Sequence, residues 1–278
     1  MPRAQWIATL VLLWGTLLVL APASFAGEDD AEKKALATVD RLGGQVLRNE
    51  AAPGKPVRQV TLLGKEVTDA DVKDLVGFKD LEWLTLNDTV VTDAGLKTLV
   101  QFKRLNALAL AGTKVTDAGL KELARLNGLI YLNLGNTKIT EAGLKELVAL
   151  KGLATLLLEN TSMTNASIKE LAQLKRVTAL DLSGTEVTDA GIKELTRLNG
   201  LVLLRLASTA ITDPGLKELV QLKGLSHLDL SGTKVTDAGI EALESLAKLE
   251  SLNLTDTPVT EAGVQKLLKA LPKCQILR

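Results

Sequence analysis

The sequence predicts an α/β repeat array in which every unit contributes one short strand and one helix. Three observations predict it. Threonine recurs every 24 residues, at Thr68, Thr92, Thr116, Thr140, Thr164, Thr188, Thr212, Thr236 and Thr260, and self-similarity at a fixed period is the signature of stacked repeats. In the same register stand L-x-x-L-x-L-x-x-T-x-[VI] segments, such as Leu105, Leu108, Leu110, Thr113 and Val115. After most of the threonines comes Asp or Glu and then Ala-Gly-Leu-Lys-Glu-Leu, as in Asp117–Leu123.

Taken from the N-terminus, residues Met1–Ala26 carry Arg3, an apolar run from Trp6 to Leu20 and a small-residue stretch ending in Ser24-Phe25-Ala26. That is the composition of a secretory signal peptide. The run is shorter than the roughly 20 residues needed to span a bilayer, so cleavage is expected after Ala26, leaving no stable membrane insertion. Residues 27–56 form an N-terminal cap: Glu28–Leu42 reads as an amphipathic helix and Gln45–Arg48 as a strand. Residues 57–278 follow as about nine repeats, closed by a last strand within Leu271–Arg278 that is expected to include Cys274.

Within a repeat, side chains of an extended L-x-L segment alternate faces, so Leu108 and Leu110 point inward and Ala107 and Ala109 outward. The threonine of T-D-A-G is a helix N-cap, and the acid after it complements the positive helix end. Leu120, Leu123 and Ala124 recur at helical spacing and face the strand. Glycine at 95, 119, 143, 191, 215, 239 and 263 lowers helix propensity and so implies close approach between units. A second threonine row, from Thr89 to Thr257, supplies hydroxyls for loop carbonyls that stacking would bury.

With these motifs the chain resembles leucine-rich-repeat proteins, in particular bacterial exported ones with 24-residue T-D-A-G-L repeats. It departs from the common pattern in carrying Thr where Asn or Cys usually stands. The resemblance implies a horseshoe-shaped solenoid with a parallel concave β-sheet and short convex helices, used mostly to bind proteins.

Composition narrows the function. Lys plus Arg equals Asp plus Glu at 33 each, so no overall charge attracts nucleic acid. Aromatics are 3% of the chain, too few for base-stacking platforms. One cysteine, Cys274, and one histidine, His227, supply neither an internal disulfide nor a Cys/His metal site, and no cofactor motif is present. The convex lysines, Lys73 to Lys217, run beside an acidic row, Asp74 to Glu218, and the two cancel within a Debye length.

The repeats diverge at the outward strand positions. One column reads Gln59, Trp83, Ala107, Tyr131, Thr155, Ala179, Leu203, His227, Ser251; the next reads Thr61, Thr85, Ala109, Asn133, Leu157, Asp181, Arg205, Asp229, Asn253. Nine strands at about 4.8 Å make a face about 40 Å wide, enough to hold a small domain. Trp83 and Tyr131 are the exposed aromatic anchors. Asp181, Arg205 and Asp229 are expected side by side, with Leu157, Glu159, Leu203 and His227 around them as a candidate ligand-binding patch. His227 beside Asp229 could suggest acid–base work, but no serine or cysteine nucleophile is placed convincingly, so the expected role is non-enzymatic binding of a protein. A cell-envelope polymer, a structural spacer and a target-recognising adaptor like the repeats of ubiquitin-ligase subunits are the alternatives. Arg205→Glu is expected to weaken a partner with little effect on stability.

Overall fold

The computed structural model describes residues 29–278 apart from Lys65; the leader read from Met1–Ala26 lies outside them. Helix α1 (Asp30–Arg41) and strand β1 (Gln45–Arg48) precede β2 (Val57–Thr61). Thereafter strands and helices alternate: α2 (Asp69–Asp74), β3 (Trp83–Thr85), α3 (Asp93–Leu99), β4 (Ala107–Ala109), α4 (Asp117–Leu123), β5 (Tyr131–Asn133), α5 (Glu141–Leu147), β6 (Thr155–Leu157) and α6 (Asn165–Leu171). The series continues with β7 (Ala179–Asp181), α7 (Asp189–Leu195), β8 (Leu203–Arg205), α8 (Asp213–Leu219), β9 (His227–Asp229), α9 (Asp237–Ile240), β10 (Ser251–Asn253), α10 (Glu261–Ala270) and β11 (Gln275–Leu277).

All eleven strands form one sheet in chain order. Only β1 is antiparallel, to β2; from β2 onward neighbours are parallel and in strict register, so Gln59 faces Trp83 and Trp83 faces Ala107. Consecutive parallel strands need a crossover, and one short helix per unit supplies it. The result is an open α/β leucine-rich-repeat solenoid. Its core is a single stack in which Leu84, Leu108, Leu132, Leu156, Leu180, Leu204 and Leu228 repeat one position, each at most 1% exposed. Phe78 and Phe102 fill leucine positions in that stack.

The second threonine row closes each unit on itself. Thr113 Oγ1 donates to the Leu110 carbonyl at 2.6 Å, and Thr89 to Leu86 at 2.7 Å; the same bond recurs through Thr257. A buried carbonyl thereby gains a donor that the parallel ladder does not provide. One further row had no sequence reading: the residue after each strand turn, at 88, 112, 136, 160, 184, 208, 232 and 256, has positive φ. Gly, Asn, Asp or Ser fills it, since these tolerate the left-handed conformation or bond locally.

The acid after each N-cap threonine does more than meet the helix dipole. Asp213 Oδ1 accepts the Thr236 amide at 2.8 Å and Oδ2 accepts the Thr236 hydroxyl at 2.7 Å. The link therefore runs between units. Asp69, Asp93, Asp117, Asp189 and Asp237 make the same pair of bonds to the next unit, and Asn165 makes its amide version. Capping alone does not account for these residues.

The link also explains the glycines. A Cβ on Gly215 would sit 2.4 Å from Asp189 Oδ1, and one on Gly119 2.4 Å from Asp93 Oδ1. Where no aspartate or asparagine arrives from the preceding unit, the glycine is replaced. Glu141, one methylene too long, makes no such bond to Thr164, and the next helix carries Ser167, whose hydroxyl accepts the Thr164 amide at 3.1 Å. Likewise Asp71, in the first unit, caps Thr68. Burial alone would raise the Asp71 carboxyl, but hydrogen bonds from Thr68 and Arg41 hold it below the usual range.

A sign test follows. Ala for Gly in an ordinary helix interior stabilises by about 0.5–1 kcal/mol. Gly215→Ala is instead expected to destabilise by about 1–3 kcal/mol, because Asp189 must abandon two bonds. Ser167→Ala, with no acid to displace, is expected to cost only the lost Thr164 cap bond, about 0.5–2 kcal/mol. Urea midpoints of the two variants decide it; equal stabilisation by both would remove the aspartate link.

At the N-terminus an Arg48–Glu32 pair at 3.0 Å ties β1 to α1 within the cap, and α1 docks on the first unit through Lys34–Asp74 at 2.7 Å and an Arg41–Asp71 pair. At the other end Cys274 lies just before β11 and is buried. Burial pushes its thiol up to about 11.

Candidate concave binding face

Parallel register fixes the face. Leu203 pairs with His227 and Arg205 with Asp229; Asp181 pairs with Arg205. The three charged side chains therefore do stand on consecutive strands, as the spacing predicts. Because residues at i and i+2 share a face, each strand presents two side chains, and eleven strands make a two-column surface.

The aromatic end is more tightly built than its residue types suggest. Trp83 on β3 and Tyr131 on β5 flank Ala107 on β4. Their rings meet over it, with centroids 5.2 Å apart and planes at 27°. Ala107 is 2% exposed beneath them, so the outward alanine is covered rather than free. Such a stack contributes about 0.5–1.5 kcal/mol beyond the area it buries. Trp83 Nε1 donates to Thr85 Oγ1 at 3.0 Å, which fixes the indole.

Tyr131 is the only tyrosine in the chain. Burial raises its phenol above the ordinary value; the Glu159 carboxylate adds to the rise, while an Asn133 hydrogen bond and the Arg205 charge oppose it. Tyrosinate absorbance near the end of an alkaline titration is expected to appear above pH 10 in the folded protein and lower in urea. With the folded value raised, the neutral phenol favours the fold. Stability is therefore fully present below the unfolded value and declines as pH rises through the folded one.

Leu157 and Glu159 continue the patch. Leu157 is half-buried beside Asn133 and Asp181. Glu159 lies over Gly135, where a Cβ would come within 2.5 Å of Glu159 Cγ, and Asn136 Nδ2 approaches its carboxylate at 3.5 Å. Leu203 is 7% exposed, which makes it a floor residue.

Asp181 departs from the surface ladder expected of it. It is 1% exposed, its Oδ1 accepts the Ser183 amide at 2.9 Å and Arg205 Nη1 reaches its Oδ2 at 3.4 Å. Arg205 is itself mostly covered. Reversing its charge would leave a buried carboxylate facing another, so Arg205→Glu perturbs the fold as well as the face. The expectation of little stability change is thereby corrected. Asp229 is occupied differently: its Oδ1 accepts both the amide and the hydroxyl of Ser231, at 2.9 and 2.7 Å.

His227 does not pair with Asp229. Its Nδ1 meets the hydroxyl of Ser226 at 2.7 Å, a neighbour the sequence pattern did not single out. The amides of Ser226 and His227 both donate to the Val202 carbonyl. Among the described residues, no group of three or more His, Cys, Asp or Glu is placed to hold a metal ion. Also among them, no helix is long and apolar enough to cross a membrane.

A second omission is larger. Ile130 and Val202, immediately before β5 and β8, are 52% and 41% exposed. The signal lay in the column preceding each strand, which reads Asn106, Ile130, Ala154, Thr178, Val202, Ser226.

Comparison with known proteins agrees with this geometry. The family described as leucine-rich repeat region matches residues 67–277. A leucine-rich-repeat protein of Leptospira interrogans is 27% identical, with 73% of this chain and 56% of that one covered and a TM-score of 0.53; this chain thus spans little more than half of it. An internalin C2 of Listeria monocytogenes is 23% identical over 91% of this chain and 99% of its own, with a TM-score of 0.56, which is a likeness of fold. No curated protein sequence matches the chain.

Proposed function

Because the chain belongs to the leucine-rich-repeat family, we propose that it is a non-enzymatic scaffold that binds a protein on its concave sheet. One observation carries the reading: the inner columns, where the repeats stop agreeing, hold a partly buried Trp83–Tyr131 stack that continues into Leu157, Glu159 and the Asp181–Arg205–Asp229 row. Aromatic residues and arginine on a preformed surface are the usual anchors of a protein interface. Rigid presentation by a continuous sheet keeps the ordering penalty of binding low.

The same reading makes the protein an exported one, processed between Ala26 and Gly27, where Ser24 and Ala26 supply the small residues. An intact mass beginning at Gly27 is the expected result for the native protein. A chain retaining Trp6–Leu20 would instead be anchored.

Tyr131→Ala is expected to weaken the complex by more than about 1 kcal/mol, and Trp83→Ala by a similar amount. The two effects should not add, since each ring supports the other. Lys145→Glu, on the convex side, should leave binding intact. Calorimetric affinity measured with melting temperature separates lost contact from lost fold. Loss of binding in Lys145→Glu with both aromatic variants unaffected would put the interface on the other face.

A further inference from the structure

Outside the two concave columns the solenoid carries a further uncharged row, or shelf, at the position that precedes each strand from Asn106 to Ser226. The amide of Ile130 donates to Asn106, that of Ala154 to Ile130, that of Thr178 to Ala154, that of Val202 to Thr178 and that of Ser226 to Val202. These residues are therefore laddered neighbours along the flank where the strands begin. Charge returns only beyond the shelf, at Glu82 and Glu250. Its two large apolar side chains, Ile130 and Val202, are 52% and 41% exposed. They stand three strands apart, about 14 Å.

A basic row borders the shelf. Lys151, Lys175, Arg176 and Lys223 lie in the turns that lead into it, two to three residues upstream, and all four are exposed. None makes an ion pair among the described residues; Lys175 and Lys223 reach only the carbonyls of Arg197 and Ser245 and the Ser245 hydroxyl. Of the nearby acids at the helix ends, Glu122 and Glu194 pair with Arg125 and Arg197, while Glu170 and Glu218 accept from the neutral amides of Gln173 and Gln221. Two exposed aliphatic side chains on an uncharged row, with cations along one side, are complementary to an apolar helix stripe with carboxylates along one side.

We infer that this flank docks an acidic amphipathic helix of a partner protein, its apolar side chains on Ile130 and Val202 and its carboxylates along Lys151, Lys175, Arg176 and Lys223. The distance suits a helix laid across the strands, since ten residues rise about 15 Å. The inference rests on the protein-binding reading and extends it from the concave columns to their rim.

The test uses two synthetic 18-residue helices that share one leucine stripe. One is flanked by glutamates and the other by lysines. Fluorescence anisotropy with the intact protein is expected to show the glutamate helix binding at least tenfold more tightly than the lysine helix, and more weakly as salt rises. Ile130→Ser with Val202→Ser should reduce that affinity at least tenfold at unchanged melting temperature. Lys151→Glu with Arg176→Glu should reverse the preference between the helices. Equal binding of both helices, or binding indifferent to these variants, overturns the inference. So does capture of the protein by phosphatidylglycerol vesicles with neither helix bound, which would assign the shelf to an anionic membrane. Tyr131→Ala serves as the separator: a native complex lost in Tyr131→Ala but retained in both shelf variants refutes the shelf while leaving the concave reading in place. Retention in Tyr131→Ala with loss in the shelf variants does the reverse.

Discussion

Leu182→Ala is expected to destabilise the protein by about 2–5 kcal/mol, against less than about 0.5 kcal/mol for Lys193→Ala. Leu182 follows β7, is 0% exposed and touches core on both sides, because the units before and after it close over the same stack. Truncation removes a side chain that neither neighbour can replace, and the sheet cannot collapse into the gap while the Leu182 amide is held by the Arg205 carbonyl. Lys193 is a solvated convex side chain. The loss should fall on nearest-neighbour coupling, so the unfolding transition should broaden as well as shift. Urea denaturation followed by circular dichroism reads both. Equal midpoints for the two variants would contradict the register that places Leu182 inside.

That register was legible in the sequence for a simple reason: each unit solves the same burial problem, so the core positions repeat while the others drift. Leu108 and Leu110 and the threonine rows all stand where the spacing puts them. What spacing conveys poorly is contact between side chains of different units. The glycine row implied close approach, but not that Asp189 is what approaches Gly215. Glu141 and Ser167 look like ordinary variation until the missing link between α5 and α6 connects them. The same limit applies to the face. Its columns follow from period two, and Asp181, Arg205 and Asp229 align as expected. Their burial does not follow, because a concave sheet shades its own floor. Nor does the meeting of Trp83 with Tyr131 across Ala107, which depends on side-chain reach over a whole strand.

The burial of Asp181 supplies the second large effect. Arg205→Glu is expected to destabilise the protein by about 3–5 kcal/mol, since removing one member of a covered ion pair leaves the other charge unpaired. Arg205→Ala should approach the same loss, as the desolvated carboxylate keeps only its bond from the Ser183 amide. The charge itself, rather than the shape of the site, should be responsible. Strands β5 and β10 show why: Asn133 and Asn253 occupy the equivalent position, and their Oδ1 atoms accept the amides of Gly135 and Thr255 at 2.9 and 3.1 Å. Asparagine thus makes the same turn without a charge. Asp181→Asn combined with Arg205→Met should therefore recover most of the stability that Arg205→Met alone loses, a coupling of at least about 1 kcal/mol in a double-mutant cycle. Additive losses in that cycle would mean that Asp181 stays solvated and that the pair is an ordinary surface contact.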